Sequence, residues 1–156
     1  MKADQAIIDA LNEVLTLELT AINQYFIHSR MLGNWGLLKL EKKIYDESMG
    51  EMKHADALIK RILFLEGQPE IARYNPIRVG KDVEHMYKND LAMELTGVDL
   101  LNKHIALFQQ LKDGGSRDVL EHILKGSEEH VDWIETQIEA IKQVGLQNYL
   151  AQHLHG

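Results

Sequence analysis

The chain has 156 residues, contains no cysteine and carries a formal net charge of −7. Without cysteine it cannot form disulfides or metal sites built from thiolates, and this composition is compatible with a reducing cytoplasm. The negative charge disfavours a nucleic-acid partner, and no stretch approaches the roughly 18 apolar residues that a membrane helix needs. We therefore expect one cytoplasmic domain over residues 1–156, with no signal peptide and no membrane contact.

Helical periodicity runs through nearly the whole chain, and glycine and proline residues divide it. Turn signals at 33–36 and 113–116 split each half, and Gly145 ends the last long helix. Both prolines, Pro69 and Pro76, fall in an irregular segment of about 17 residues between the halves. Helices are expected at about 4–33, 36–65, 82–112 and 117–144, with a short fifth helix at about 146–153. The sequence therefore predicts an all-α four-helix bundle with a long crossover between helices two and three.

Apolar residues recur at steps of three and four along each helix, as they do in helices that pack as a bundle. Three glutamates interrupt these stripes: Glu18 in helix one, Glu51 in helix two and Glu94 in helix three. A carboxylate in a bundle core is costly to bury unless it is paired or bound to a metal. Each glutamate alone is better explained by an edge position that reaches solvent, so the three gain weight only as a pattern.

Two histidines complete that pattern. Glu51 and His54 form a Glu-x-x-His unit, whose two side chains project from one face of a helix. Glu51 follows Glu18 by 33 residues, and His54 follows Glu18 by 36. In the second half, His130 likewise follows Glu94 by 36 residues. The two halves thus look like copies of one hairpin, in which a lone Glu faces a Glu-x-x-His unit, as in di-iron bundles.

The second copy lacks one carboxylate, because Ser127 stands where the spacing predicts a Glu. A hydroxyl binds iron weakly and cannot bridge two cations as a carboxylate does. Glu128 is a weak substitute, since it is rotated about 100° from position 127 and would need a π-bulge to turn inward. The sequence therefore predicts a second metal position that is short of ligands.

Four of the remaining histidines fit no such pattern. His28 is expected at the solvent end of helix one, and His85, His104 and His122 are expected on the surface. We assign none of them to the metal site.

Several motifs of this sequence resemble those of the bacterioferritins, the haem-containing branch of the ferritin family. The matching segments span nearly the whole chain and are ELTAINQYFIHSRM, NWG, ESMGEMKHAD, RILFLEG, DLAMEL, GSRD, HVDWIETQ and GLQNYL. The resemblance implies a ferritin-like four-helix subunit with a short fifth C-terminal helix, which assembles as a hollow 24-mer. It also implies ferric mineral stored inside the cage and haem bound between pairs of subunits.

Carried over by position, the resemblance also assigns the di-iron ligands. They fall on five residues of the expected type: Glu18, Glu51, His54, Glu94 and His130. Glu51 would be one bridging carboxylate, and Ser127 stands where the family has the other. Tyr25 resembles the family's tyrosine beside the centre, although a packed aromatic residue would explain it equally well.

The haem ligand carries over to Met52. This residue is rotated about 100° from Glu51 and about 200° from His54, so it points away from the di-iron face. A thioether can ligate haem iron axially, and near a twofold axis Met52 and its own copy would supply both axial ligands. Without the resemblance, a lone Met is more often core or interface filler.

Three functions are compatible with these features. The first is an iron-storage subunit with ferroxidase activity, in which two Fe²⁺ ions are oxidised by O₂ or peroxide before Fe³⁺ moves to the cavity. The second is a haem-binding, catalytically impaired chain of a mixed cage, whose ferroxidase activity comes from a second bacterioferritin subunit. The third and least favoured is a non-storage di-iron oxidoreductase. We favour the first, with ferroxidase activity altered or reduced by Ser127, in a homo- or hetero-oligomer that receives electrons from a redox partner for iron release.

Overall fold

The computed structural model describes residues 1–154, which form five α-helices. They are α1 (Gln5–Asn34), α2 (Leu38–Phe64), α3 (Val83–Gln110), α4 (Gly114–Val144) and the short α5 (Leu146–Ala151). The main packing partners are α1 with α2 and α3 with α4, and α1 also packs on α3. None of these helices is both long and apolar enough to cross a membrane. The predicted fold, an all-α bundle with a long crossover and a short fifth helix, is confirmed.

The helix bounds differ from the predicted ones by at most three residues, and the largest difference is at the start of α4. α4 begins at Gly114 because Asp113 caps it: the Asp113 carboxylate accepts a hydrogen bond of 2.9 Å from the backbone N–H of Ser116. The Arg61 guanidinium of α2 donates to the Asp113 carboxylate at 2.8 Å and to the Ser116 hydroxyl at 3.0 Å. The cap therefore also ties the end of α2 to the start of α4.

Two clusters of buried apolar side chains fill the bundle. In α2, Ile44 belongs to one cluster and Ala55 to the other, and Glu51 lies between them. In α4, Ile123 and Ile134 bracket His130 in the same way. Each fully buried Leu or Ile contributes roughly 1.5–3 kcal/mol to stability. The two clusters therefore help to offset the cost of the polar layer that they enclose.

The crossover, residues 65–82, contains no helix or strand, yet it is fixed to α1 by a ladder of hydrogen bonds. The α1 side chains of this ladder are spaced by multiples of four residues and accept bonds of 2.9–3.1 Å from crossover backbone N–H groups. The pairs are Asn12 with Glu70, Thr20 with Asn75, Gln24 with Arg78, and His28 with Gly80. Because the crossover covers its polar side, α1 is buried on most of its circumference.

Two histidines predicted at the surface are buried. His28 is fully buried rather than at the solvent end of α1, because the crossover passes over it. Its Nδ1 lies 3.0 Å from a carboxylate oxygen of Asp90. His104 is also buried, with its Nε2 3.1 Å from Glu13 and its ring stacked on Phe108. Both histidines are therefore structural links between helices.

Gly145 ends α4, as predicted, and allows α5 to fold back. Its φ of 85° lies in the left-handed region, which glycine adopts without steric cost. The Tyr149 hydroxyl of α5 donates to Gln137 at 2.6 Å and lies 2.7 Å from the Tyr87 hydroxyl of α3. This buried tyrosine pair fixes α5 to the end of the bundle.

Candidate metal centre

A layer of polar and charged side chains crosses the middle of the bundle, between the two apolar clusters. Each of the four long helices contributes to it. The residues are Glu18 from α1, Glu51 and His54 from α2, Glu94 from α3, and Ser127 and His130 from α4. All are at most 5 % exposed except His54, which is partly buried. The structure thus brings together the residues that the sequence pattern had selected.

The first half-site consists of Glu18, Glu51 and His54. The Nδ1 atom of His54 lies 3.3 Å from Glu51 Oε2 and 3.5 Å from Glu18 Oε2. Among the described residues, this is the one set that brings three ligand atoms within 4.8 Å of one another. Glu18 Oε2 is buried and has no hydrogen-bond partner. An unpaired buried acceptor is costly, and a cation at this position would satisfy it.

The second half-site consists of Glu94, Ser127 and His130, and Tyr25 lies against it. The Tyr25 hydroxyl is 2.5 Å from Glu94 Oε1 and 2.8 Å from His130 Nδ1. Since an ionised carboxylate can only accept, Tyr25 donates to Glu94 and accepts the Nδ1–H of His130. His130 Nε2 is buried without a hydrogen-bond partner. Tyr25 therefore lies beside the centre and also packs within it, edge-on to the His130 ring.

Ser127 leaves the second half-site without a carboxylate from α4. Its side chain is buried in the bundle, at 3 % exposure, where the first half-site has Glu51. α4 is an uninterrupted α-helix through this region, and Glu128 is exposed. The suggestion that Glu128 could substitute is therefore wrong, because no π-bulge turns it inward.

One acidic residue near the second half-site was not predicted to belong to it. Glu47 of α2 places its Oε2 3.7 Å from His130 Nδ1, and its Oε1 accepts a bond of 3.0 Å from Lys43. Its side chain is 23 % exposed. Glu47 precedes Glu51 by one helical turn, so the spacing alone places it on the same face of α2. That spacing is visible in the sequence, but the approach of Glu47 to His130 depends on how α2 and α4 pack.

Three groups in and beside the polar layer bind protons more tightly than they would in water. Burial raises the pKa of Glu51, and the Glu94 charge adds to this, while a hydrogen bond with His54 acts in the opposite sense. Although burial lowers the pKa of His130, its hydrogen bond to Glu94 and the Glu47 charge raise it overall. Burial and the neighbouring Glu94 raise the pKa of Tyr25 well above its usual range. A metal entering the layer must therefore displace protons.

Met52 points away from the layer. Its side chain is 50 % exposed on the outer face of α2, whereas Glu51 next to it is buried. Elsewhere on the surface of α1 and α2, the rings of Phe26 and Tyr45 are 6.3 Å apart, and the Arg30 guanidinium lies over both rings. One helix turn therefore supplies both the inner carboxylate and an exposed thioether.

Comparison with known proteins agrees with this geometry. The family model for the ferritin-like domain matches residues 8–144. The bacterial ferritin of Synechocystis sp. is 44% identical over 155 residues, which cover 99% of each chain. The bacterioferritin of Mycobacterium leprae is 41% identical over 152 residues, or 97% of this chain and 96% of the relative. That of Streptomyces coelicolor is 42% identical over 151 residues, or 97% and 90%. The resemblance drawn from the sequence motifs is confirmed, and the chain belongs to the bacterioferritin family.

Proposed function

We propose that this protein is an iron-storage subunit of a hollow cage, and that its polar layer binds Fe²⁺ as a substrate on the way to the cavity. The observation that supports this most strongly is the first half-site, with three ligand atoms within 4.8 Å in a buried position. Carboxylate and imidazole ligands suit both oxidation states of iron. Membership of the bacterioferritin family supports storage in a 24-mer.

The residues present fit iron. Glu18 Oε2 is a buried acceptor without a partner, and two carboxylates and an imidazole surround the same small space. We assign Glu51 as the bridging carboxylate between two Fe²⁺ ions. His54 and His130 would each bind through Nδ1, which must then carry no proton. Tyr25 can keep its bond to Glu94 while it releases the His130 nitrogen. Each Fe²⁺ then gives one electron to O₂ or peroxide.

Ser127 makes the two positions unequal. The first half-site has two carboxylates and an imidazole, whereas the second has Glu94 and His130 with a hydroxyl in place of a carboxylate. We therefore infer a ferroxidase activity that is reduced relative to a chain with both bridging carboxylates.

The test is anaerobic loading of the pure homomeric protein with Fe²⁺, followed by anomalous scattering from the crystals and by stopped-flow oxidation. We expect the first half-site to be more fully occupied and oxidation to be slow. Absence of bound iron from the polar layer would contradict the proposal. Fast, complete oxidation with equal occupancies would instead contradict the reduced activity.

Met52 is proposed as the axial ligand of a haem shared between two subunits, where the bound group would supply electron transfer. The support is its half-exposed thioether on the outer face of α2, together with membership of the bacterioferritin family. Met52→Leu should abolish the haem absorbance of the purified protein. The matched control is Met93→Leu on α3, which should leave the absorbance unchanged. Full haem content in Met52→Leu would remove this assignment.

A mixed cage is the second candidate function, and Ser127 favours it. In that case this chain brings the haem, and a partner bacterioferritin subunit with a complete site supplies the ferroxidase activity. Mass spectrometry of the cage purified from its native cells would separate the two, since a second subunit type is expected only in the mixed cage. A cytoplasmic location and a redox partner for iron release belong to either version.

A further inference from the structure

The contacts of His130 differ from what the missing carboxylate would lead one to expect. Its Nδ1 atom is flanked by two carboxylates, with Glu94 Oε1 at 3.5 Å and Glu47 Oε2 at 3.7 Å. In the first half-site, His54 Nδ1 is flanked by Glu51 and Glu18 at 3.3 and 3.5 Å. Each imidazole therefore has two carboxylates at similar distances. The internal repeat would place the second carboxylate beside His130 on α4, but it comes from Glu47 on α2.

We propose that Glu47 supplies the missing carboxylate of the second metal position, so that a divalent cation there is held by Glu94, His130 and Glu47. This inference rests on the proposed function, because it assigns a ligand within the same polar layer. Under this inference the second half-site is no longer short of a carboxylate, because α2 supplies one from across the bundle.

The distances suit a cation. Ligand atoms about 2.1 Å from a metal lie roughly 3.0–3.4 Å apart in tetrahedral or octahedral geometry. The spacings of 3.5 and 3.7 Å around His130 Nδ1 are slightly longer than this. Only the first half-site, among the described residues, has all its ligand atoms within 4.8 Å of one another. The Glu47 oxygen must therefore move inward when a cation binds, which its partly exposed side chain permits.

The surroundings of Glu47 explain how it is kept in reach. Lys43, one turn earlier on α2, binds Glu47 Oε1 at 3.0 Å and lies over the Trp133 ring, 5.0 Å from its centre. Trp133 in turn stacks on the His130 ring. Lys43 thus holds the carboxylate beside His130 through one oxygen and leaves Oε2 directed to the imidazole. The ammonium charge also repels a cation, so Lys43 weakens the position that it helps to build.

Anaerobic calorimetric titration of the assembled protein with Co²⁺ tests this ligand set without any enzymatic readout. The double variant His54→Gln/His130→Gln lacks both imidazole ligands, so the ions that it still binds are counted as surface binding and subtracted. The wild-type protein should bind two ions per subunit. Glu47→Gln should bind the first ion as the wild type does and the second at least about tenfold more weakly. The matched control Glu128→Gln removes an equal but exposed charge and should bind two. Lys43→Met should bind the second ion more tightly than the wild type.

The outcomes separate the two proposals. Absence of specific Co²⁺ binding in the wild type would overturn the proposed function itself. One ion in the wild type, or two equally tight ions in Glu47→Gln, would overturn the role of Glu47 and leave the first half-site intact. Anomalous scattering from Co²⁺-soaked crystals gives an independent reading, since the second ion should lie within bonding distance of Glu47 Oε2.

Discussion

The first and second half-sites differ in how their ligands are held. In the first, Glu51 and His54 come from one turn of α2, so the helix itself sets their spacing. In the second, His130 has no such neighbour on its own helix, and its nearest second carboxylate is a partly exposed residue of another helix. Under our proposal, the bundle replaces the carboxylate that its internal repeat lacks with one from another helix. The second position is then the looser of the two, because Glu47 is partly exposed and also binds Lys43.

The strongest test of this comparison is removal of Glu51, which we assign to both ions. Glu51→Gln should abolish both binding events, lowering affinity by more than the roughly 100-fold that an outer partner of a metal site contributes. Calorimetric titration with Co²⁺ measures this. The metal-free variant should also be more stable than the wild type, because a buried carboxylate is replaced by a neutral amide. Retention of two ions would show that the half-sites do not share this carboxylate.

Ser127→Glu should make the half-sites equal. We expect Fe²⁺ oxidation to become about tenfold faster or more, since a carboxylate from α4 would hold the second ion more firmly than the partly exposed Glu47 does. Stopped-flow absorbance follows the reaction. Ser127→Gln is the matched control, because it has the same shape without the charge and should not accelerate oxidation. An unchanged rate in Ser127→Glu would mean that Glu47 already serves the second position as well as a carboxylate on α4 would.

Tyr25→Phe should affect the second half-site alone. The variant leaves Glu94 without its donor, and such a loss destabilises a metal-free protein by roughly 1–3 kcal/mol. Urea denaturation measures this change, with the partly exposed Tyr45 changed to Phe as the control. The first Co²⁺ ion should bind as in the wild type. Weakened binding of both ions would show that Tyr25 supports the whole layer.

The smallest effect is a pH dependence of the metal-free protein. Burial lowers the pKa of His130, but the hydrogen bond to Glu94 and the charges of Glu47 and Glu94 together raise it above its ordinary value of 6.5. The folded state therefore holds this proton more tightly. Its stabilisation is full below 6.5 and is lost as the pH rises through the folded pKa, by at most about 1.4 kcal/mol per pH unit. Urea denaturation should show a flatter pH dependence in His130→Gln, and equal slopes would contradict this origin.

The sequence predicts best what depends on local periodicity. The positions of Glu18, Glu51 and His130 on inward faces follow from the helical repeat, and the spacing also locates the gap at Ser127. Prediction from the sequence fails where the burial of a residue depends on which distant segment of the chain covers it. His28 sits near the end of a helix, where solvent is the simplest expectation, and only the path of the crossover buries it.

Glu47 shows the same limit at the site. Its helical spacing from Glu51 is visible in the sequence, but its approach to His130 depends on how closely α2 and α4 pack. A long acidic side chain beside a lysine is the usual composition of a solvated helix face, so nothing local distinguishes it. The distance to the imidazole could be known only from the folded chain.

The hydrogen-bond ladder between the crossover and α1 contains four backbone amides whose hydrogen exchange reports on the contact between these two segments. The N–H groups of Glu70, Asn75, Arg78 and Gly80 can exchange with deuterium only when the crossover lifts away from α1. α1 also carries Glu18, so a cation that orders this helix should slow exchange at those four amides. The segment with the least regular structure is therefore the one from which metal binding inside the bundle can be followed without an attached probe.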